Sequence, residues 1–175
     1  MRIIGLAGWS GSGKTTLVTG VIPVLVKRGL KVATVKHAHH DFDIDHPGKD
    51  SWRHREAGAC EVAVVSSRRW AIVHELGQEP EPPLGEILGK LSPVDLVIVE
   101  GFKRYRLPKL EVYRADVGKP LLHPEDDCIV AVATDAALPQ ATVPVVMLAD
   151  IEGIADVLLA EALPPGRIGA QGDET

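Results

Sequence analysis

The stretch GLAGWSGSGKTT, residues 5–16, limits the fold of this chain more than any other segment. Its core, Gly8-x4-Gly13-Lys14-Thr15, follows a short apolar run, RIIGLAG, that reads as a buried strand. Residues 14–28 come next, with Leu17, Val21, Val24 and Leu25 at helical spacing and Gly29 as a stop signal; Pro23 inside this helix is expected to bend it or loosen one turn. Strand, glycine-rich turn and helix in that order make a phosphate cradle. Glycines let successive backbone N–H groups turn inward and leave no side chain in the way. The helix N-terminus adds partial positive charge. Lys14 is placed to reach β- and γ-phosphates, and the Thr15 hydroxyl to ligate the Mg²⁺ that bridges them. The pattern asks for a nucleoside triphosphate, or at least its phosphates.

The rest of the chain alternates strand and helix signals. KVATVKH, EVAVVSS, WAIVHEL, VDLVIVEG, KLEVYR, CIVAVATD and VPVVML read as strands, and residues 49–59, 84–91 and 151–162 as helices. Apolar, β-branched strands separated by helices predict an α/β fold of the P-loop NTPase type: a mainly parallel twisted sheet with helices on both faces. EVAVVSS and WAIVHEL, joined near Arg68 and Arg69, add an expected antiparallel pair. The 175 residues suit a single nucleotide-binding domain over 1–163, followed by a tail, 164–175, expected to be disordered.

Composition excludes some partners. The formal charge of −5 provides no general basic field for nucleic acid or an anionic membrane. No apolar run approaches the roughly 20 residues that span a bilayer. The N-terminal apolar run is too short for a secretory h-region and passes directly into the glycine-rich loop. Cys60 and Cys128 have no zinc-ligand spacing and read as core thiols of a cytoplasmic protein.

Several residues are candidates beside the loop. Glu100 closes the apolar strand VDLVIVEG, where a carboxylate can hold Mg²⁺ through water or orient an attacking water; the alternative is a strand end facing solvent. The segment KHAHHDFDIDHPGKD, residues 36–50, mixes His37, His39, His40 and His46 with Asp41, Asp43 and Asp45. It reads as a switch-like segment near the γ-phosphate, with Asp45 meeting Mg²⁺ or water, as a transition-metal site, or as a solvated loop. Lys36 is either a strand-end cation aimed at a ligand or a surface lysine. Asp135, after AVAT, either contacts a base or caps a loop, since no Asn-Lys-x-Asp motif is present. Lys103, Arg104, Arg106, Lys109 and Arg114 form either an anion surface or a solvated hairpin. Trp9, Trp52 and Trp70 read as packing or interface residues, with Trp9, inside the loop, the best candidate for stacking on a ligand. A strand pair near 62–76 could also leave an edge open for dimerisation.

Taken together, GWSGSGKTTL, VKHAHHDFDIDHPGKDSWRHREAGA, SSRRWAIVHE, VEGFKRYRLPKLEVYR and AVATD resemble the molybdopterin-guanine dinucleotide biosynthesis protein B (MobB) family over about residues 3–160. The phosphate loop is shared widely; the VKHAHHDFDIDHPGKDS block and VEGFK are far more specific. The resemblance implies a GTP-binding protein with at most weak GTPase activity, usually a homodimer. It would assist the nucleotidyltransferase that joins GMP to molybdopterin. It further implies phosphate binding by Gly8, Trp9, Ser10, Gly11, Ser12, Gly13, Lys14, Thr15 and Thr16. Mg²⁺ would lie near Thr15 and Glu100. The block from His37 to Asp50 would face the phosphates and the partner. Two other classes fit the loop alone. A small-molecule kinase would place phosphate on an acceptor and need an Arg-bearing lid, for which 103–114 is the candidate. A cofactor-carrier module would bind the pterin even with the loop disabled.

Overall fold

In the computed structural model the described residues are 1–38, 42–102 and 105–168. The elements run β1 (Arg2–Ala7), α1 (Lys14–Lys27), β2 (Val32–Lys36), α2 (Asp50–Glu56), β3 (Glu61–Val65), β4 (Trp70–His74), α3 (Leu84–Lys90), β5 (Leu96–Glu100), β6 (Lys109–Tyr113), β7 (Ile129–Thr134), β8 (Val145–Met147) and α4 (Ile151–Glu161). Single 3₁₀ turns follow β6, at Ala115–Val117, and α4, at Pro165–Arg167. No described helix is long and apolar enough to cross a membrane. The chain forms two compact units, residues 1–37 with 88–175, and residues 38–87.

The first unit is built on a six-stranded sheet in the order β2-β5-β1-β6-β7-β8, with every pair parallel. This is the expected parallel α/β arrangement. β1 lies near the middle, so its C-terminal end delivers the glycine-rich loop to the centre of the sheet's carboxyl edge. On one face, Ile4 and Leu6 of β1, Leu96 and Ile98 of β5, and Leu110 and Val112 of β6 meet Leu17, Val21 and Leu25 of α1 and Ile154, Ala155 and Leu158 of α4. Burial of each large aliphatic side chain contributes about 1.5–3 kcal/mol. The three α1 residues recur at i, i+4 and i+8, one stripe of a helix. α1 continues through Pro23 to Lys27. Gly29, at φ 84°, then ends it, with Gly29 N–H donating to Val26 O and Leu30 N–H to Leu25 O.

The other face of β6 is polar and buried. Lys109 is 4% exposed and Glu111 1% exposed. Lys109 Nζ pairs with Asp126 at 2.9 Å. Glu111 accepts from the backbone N–H groups of Leu122 (2.7 Å) and His123 (3.0 Å), and its Oε2 lies 3.3 Å from His123 Nδ1. The carboxylate thus draws the loop after β6 down onto the sheet. The expectation of Lys109 as part of an anion surface or solvated hairpin is corrected here: it is a buried residue of an interior strand.

The second unit contains α2 and the antiparallel pair β3–β4, in register from Glu61↔His74 to Val65↔Trp70. Ser66 closes the turn by accepting from Arg68 and Arg69 N–H and donating to Arg69 O. Arg55 gathers the acidic residues of this unit: it bonds Asp43 (2.8 Å) and Glu75 (2.7 Å) and lies 3.6 Å from Asp45. Its guanidinium holds the Asp43 carboxyl below the usual range, and Glu75 and then Asp43 push the Arg55 pKa up. Cys60 is exposed and Cys128 half-buried, both free thiols, which corrects their assignment to the core. Cys60 sits just before β3, between the Gly58 turn and the hairpin. Of the tail, 165–167 forms the 3₁₀ turn, and the expectation of disorder for 169–175 lies outside the described residues.

Two outcomes follow from these networks. Glu111→Leu removes the acceptor of one buried and one part-buried N–H group, so unfolding free energy in urea falls by about 2–3 kcal/mol, and less for Glu111→Gln, which keeps one carbonyl oxygen. His74 lies 2.8 Å from Glu61 and 3.3 Å from Glu79, and these carboxylates, Glu61 foremost, raise its pKa above 6.5. A raised folded pKa means that stabilisation is complete below the unfolded value and lost as pH rises through the folded one. Amide protection factors in β3–β4, corrected for intrinsic exchange, should therefore fall as pH rises past 6.5 and through the raised folded value, and stay level in His74→Gln.

Candidate functional site

The loop between β1 and α1 has the backbone that its glycines allow. Gly8, Gly11 and Gly13 have φ of 141°, 83° and 91°. Gly8 has a further constraint: a Cβ there would lie 2.5 Å from the Val112 carbonyl oxygen and 2.8 Å from Ser12 Oγ. The start of the cradle is thus pressed against the end of β6. Ser12 is 2% exposed, and its hydroxyl has no hydrogen-bond partner among the described residues. A buried hydroxyl without a partner costs free energy, and an anion held by the loop is one group that can supply the missing bond.

α1 starts at Lys14 with Gly13 as its N-cap in the left-handed conformation. Among the described residues no side chain caps it, and its first turn carries no acidic residue. The helix end therefore presents its backbone donors without a built-in competitor for an anion. Lys14 Nζ donates to Gly8 O (2.8 Å) and Trp9 O (3.0 Å), folded over the start of the loop. Ser10, Thr15 and Thr16 are exposed, as a cradle mouth requires. These features fit a bound triphosphate with its metal.

Trp9 is exposed at the loop tip, yet its indole N–H donates to Pro120 O at 2.9 Å, and Lys119 Nζ sits 5.7 Å from the ring centroid. The tip is therefore held by the loop that Glu111 draws onto the sheet. Arg114, the residue after β6, donates from Nε to Ser12 O at 3.2 Å and from Nη1 to Asp135 Oδ2 at 3.3 Å. The sequence marks Arg114 only as part of a basic stretch; neither its bonds to Ser12 and Asp135 nor the Trp9–Pro120 bond is visible there. Both depend on β6 pairing with β1 and β7.

Glu100 ends β5, in register with Leu6 of β1 on one side and Lys36 of β2 on the other. It is half-buried, and Gly101 follows at φ 100°, where a Cβ would lie 2.9 Å from His37 O. That close approach ties the end of β5 to the end of β2, as does the His37 N–H bond to Glu100 O (2.8 Å). The His37 ring lies 5.1 Å from the Phe102 ring, which meets Tyr105 edge-on at 5.3 Å. Lys36 is exposed. The parallel sheet thus brings residues 8–16, Glu100, Lys36, His37 and Asp135 to one edge, the carboxyl ends of its strands, where open α/β sheets bind ligands. Asp45 belongs to the second unit, where its Oδ1 accepts from Ser51 Oγ and His46 N–H. His39, His40, Asp41, Lys103 and Arg104 lie outside the described residues.

Comparison with known proteins agrees with this geometry. Residues 3–135 match the family described as Molybdopterin guanine dinucleotide synthesis protein B, MobB. A molybdopterin-guanine dinucleotide biosynthesis adapter protein of Escherichia coli (strain K12) is 39% identical over 160 residues, covering 90% of this chain and 91% of that protein. The adapter protein of Haemophilus influenzae is 43% identical over 140 residues, covering 78% and 76%. A crystal structure of molybdopterin-guanine biosynthesis protein B (mobB) superposes with a TM-score of 0.72 at 31% identity, over 90% of this chain and 98% of that one. With the family match spanning most of the chain and both relatives covered over three quarters or more of their length, the chain belongs to the MobB family.

Proposed function

We propose that this chain is an accessory protein of molybdenum cofactor biosynthesis, which binds Mg²⁺-GTP and assists the guanylyltransferase that attaches GMP to molybdopterin. The observation that carries the reading is the glycine-rich cradle, Gly8 to Thr16, in a chain whose relatives are named adapter proteins of that biosynthesis. The phosphates would take the backbone amides of residues 11–15. They would also take the Lys14 ammonium, released from the Gly8 and Trp9 carbonyls, and the Ser12 hydroxyl. Thr15 and Glu100 would hold the metal, which when bound neutralises charge between the phosphates. Hydrolysis in this reading is weak, and binding rather than turnover is the task.

The strand order supports an orientation. Glu100 lies on β5, to one side of β1, and Asp135 follows β7, on the other side. A nucleotide with its terminal phosphate and metal toward Glu100 would extend its base toward Asp135. A carboxylate there accepts two adjacent N–H donors, which guanine offers on one edge and adenine does not. In titration calorimetry on the stripped protein, Mg²⁺-GTP is expected to bind more tightly than Mg²⁺-ATP. Lys14→Ala should weaken both by about 10–100-fold, the worth of one or two charge-assisted hydrogen bonds. Equal binding of the two nucleotides by the wild type would overturn the guanine assignment. Binding unaffected by Lys14→Ala would remove the cradle from the site.

The same reading includes a homodimer, and the β3–β4 pair is the surface that favours it. Val65 is 76% exposed, Trp70 65% and Ile72 53%. A two-stranded ribbon is marginal alone, and its open edges accept further strands. A second copy of the chain covers such apolar residues with residues of the same kind. Sedimentation should give a dimer for the wild type and a monomer for Trp70→Glu/Ile72→Lys; a monomeric wild type would sink the idea.

A further inference from the structure

We propose that Arg114 is the positioning residue of base recognition: one guanidinium fixes the Asp135 carboxylate at a set distance from the phosphate cradle. The inference rests on Asp135 reading the base, as argued above. Arg114 leaves β6, the strand between β1, which ends in the cradle, and β7, which ends before Asp135. It therefore emerges between the two ends of the site.

Its guanidinium is packed against the loop itself. A Cβ on Gly13 would lie 3.1 Å from Arg114 Nε and 3.5 Å from Nη2, so the missing side chain at Gly13 makes room for it. Nε donates to Ser12 O at 3.2 Å, which joins Arg114 to the residue whose hydroxyl lacks a partner among the described residues. On its other side Nη1 pairs with Asp135 Oδ2 at 3.3 Å, and Ala115 N–H lies 3.4 Å from Oδ1. Asp135 is thus held from two directions, by a side chain and a backbone donor of consecutive residues.

Those two contacts occupy about half of the roughly four acceptor positions of a carboxylate. The remainder can take a pair of N–H donors on one purine edge. Thr134, before it, is fully buried and bonds Ala136 N–H through Oγ1 at 3.1 Å, so the backbone at Asp135 is fixed. The side chain is not fixed by packing, because Asp135 is on the surface. Without Arg114 its carboxylate is free to turn to solvent. Lysine cannot replace it: an ammonium is a point donor, whereas the planar fork serves Ser12 O and Asp135 from different nitrogens.

The test is calorimetry on the full chain with Mg²⁺-GTP, Mg²⁺-ATP and Mg²⁺-tripolyphosphate. The variants are Arg114→Lys, Arg114→Ala, Asp135→Asn and Arg114→Ala/Asp135→Asn, each confirmed folded by its thermal transition. The proposal expects both Arg114 variants to reduce the GTP-over-ATP preference by about tenfold, a change of about 1.4 kcal/mol, and tripolyphosphate affinity to change by less than about threefold. The double variant should lose no more preference than Asp135→Asn alone, as required of residues acting through one another. An unchanged preference in both Arg114 variants, with a loss in Asp135→Asn, would overturn the proposal and leave the base reading standing. Equal loss of GTP, ATP and tripolyphosphate would overturn it too, making Arg114 a phosphate ligand. A preference unchanged in Asp135→Asn would remove the base reading and this inference with it.

Discussion

The contact between Gly8 and the Val112 carbonyl is the constraint on which the site depends. β1 and β6 pair in parallel with Ala7 beside Glu111, so the first glycine of the loop meets the backbone of the neighbouring strand as soon as β1 ends. Only a residue without a Cβ lets the chain turn there. The turn then brings Ser12 beneath Gly8 and starts α1 at Lys14. The cradle is therefore shaped by a strand pairing as much as by its own glycines.

β6 does more than bound the cradle. One face contributes Leu110 and Val112 to the core between the sheet and the helices α1 and α4. The other carries Glu111, whose carboxylate holds the backbone at Leu122 and His123. The loop so anchored returns Pro120 to the indole of Trp9, while Arg114 at its start reaches Ser12 and Asp135. A buried carboxylate is costly unless its oxygens are bonded, and here the bonds that satisfy it are also those that organise the rim of the site. Polar burial in this strand has a local structural consequence, namely the placement of the loop.

Much of the fold was legible in the sequence for identifiable reasons. β1, β5 and β7 are apolar, β-branched runs, because strands buried on both faces need no alternation. Leu17, Val21 and Leu25 mark the buried stripe of α1, and Gly29 its end. Glu100 and Asp135 stand at strand ends, so a parallel sheet brings them to the same edge as the loop. Lys109 misled, because a lysine in a polar, basic stretch reads as surface; its partner Asp126 is seventeen positions away and β6 is an interior strand. Cys60 misled in the opposite sense: thiols are usually buried, but this one precedes a hairpin of small extent.

The sequence by itself determined the glycine-rich loop and the class of fold, because glycine spacing, a following Lys-Thr and the strand–helix rhythm are local properties, readable without knowing which strands adjoin. Family membership was legible for the same reason, in blocks of contiguous residues. Only the tertiary structure decided the neighbours: that β6 lies between β1 and β7, that Arg114 thereby bonds both Ser12 and Asp135, and that Glu111 and Lys109 are interior. Those relations join residues about 10 to 100 positions apart, and strand order, which sets them, follows from how whole faces are covered rather than from any short stretch of chain.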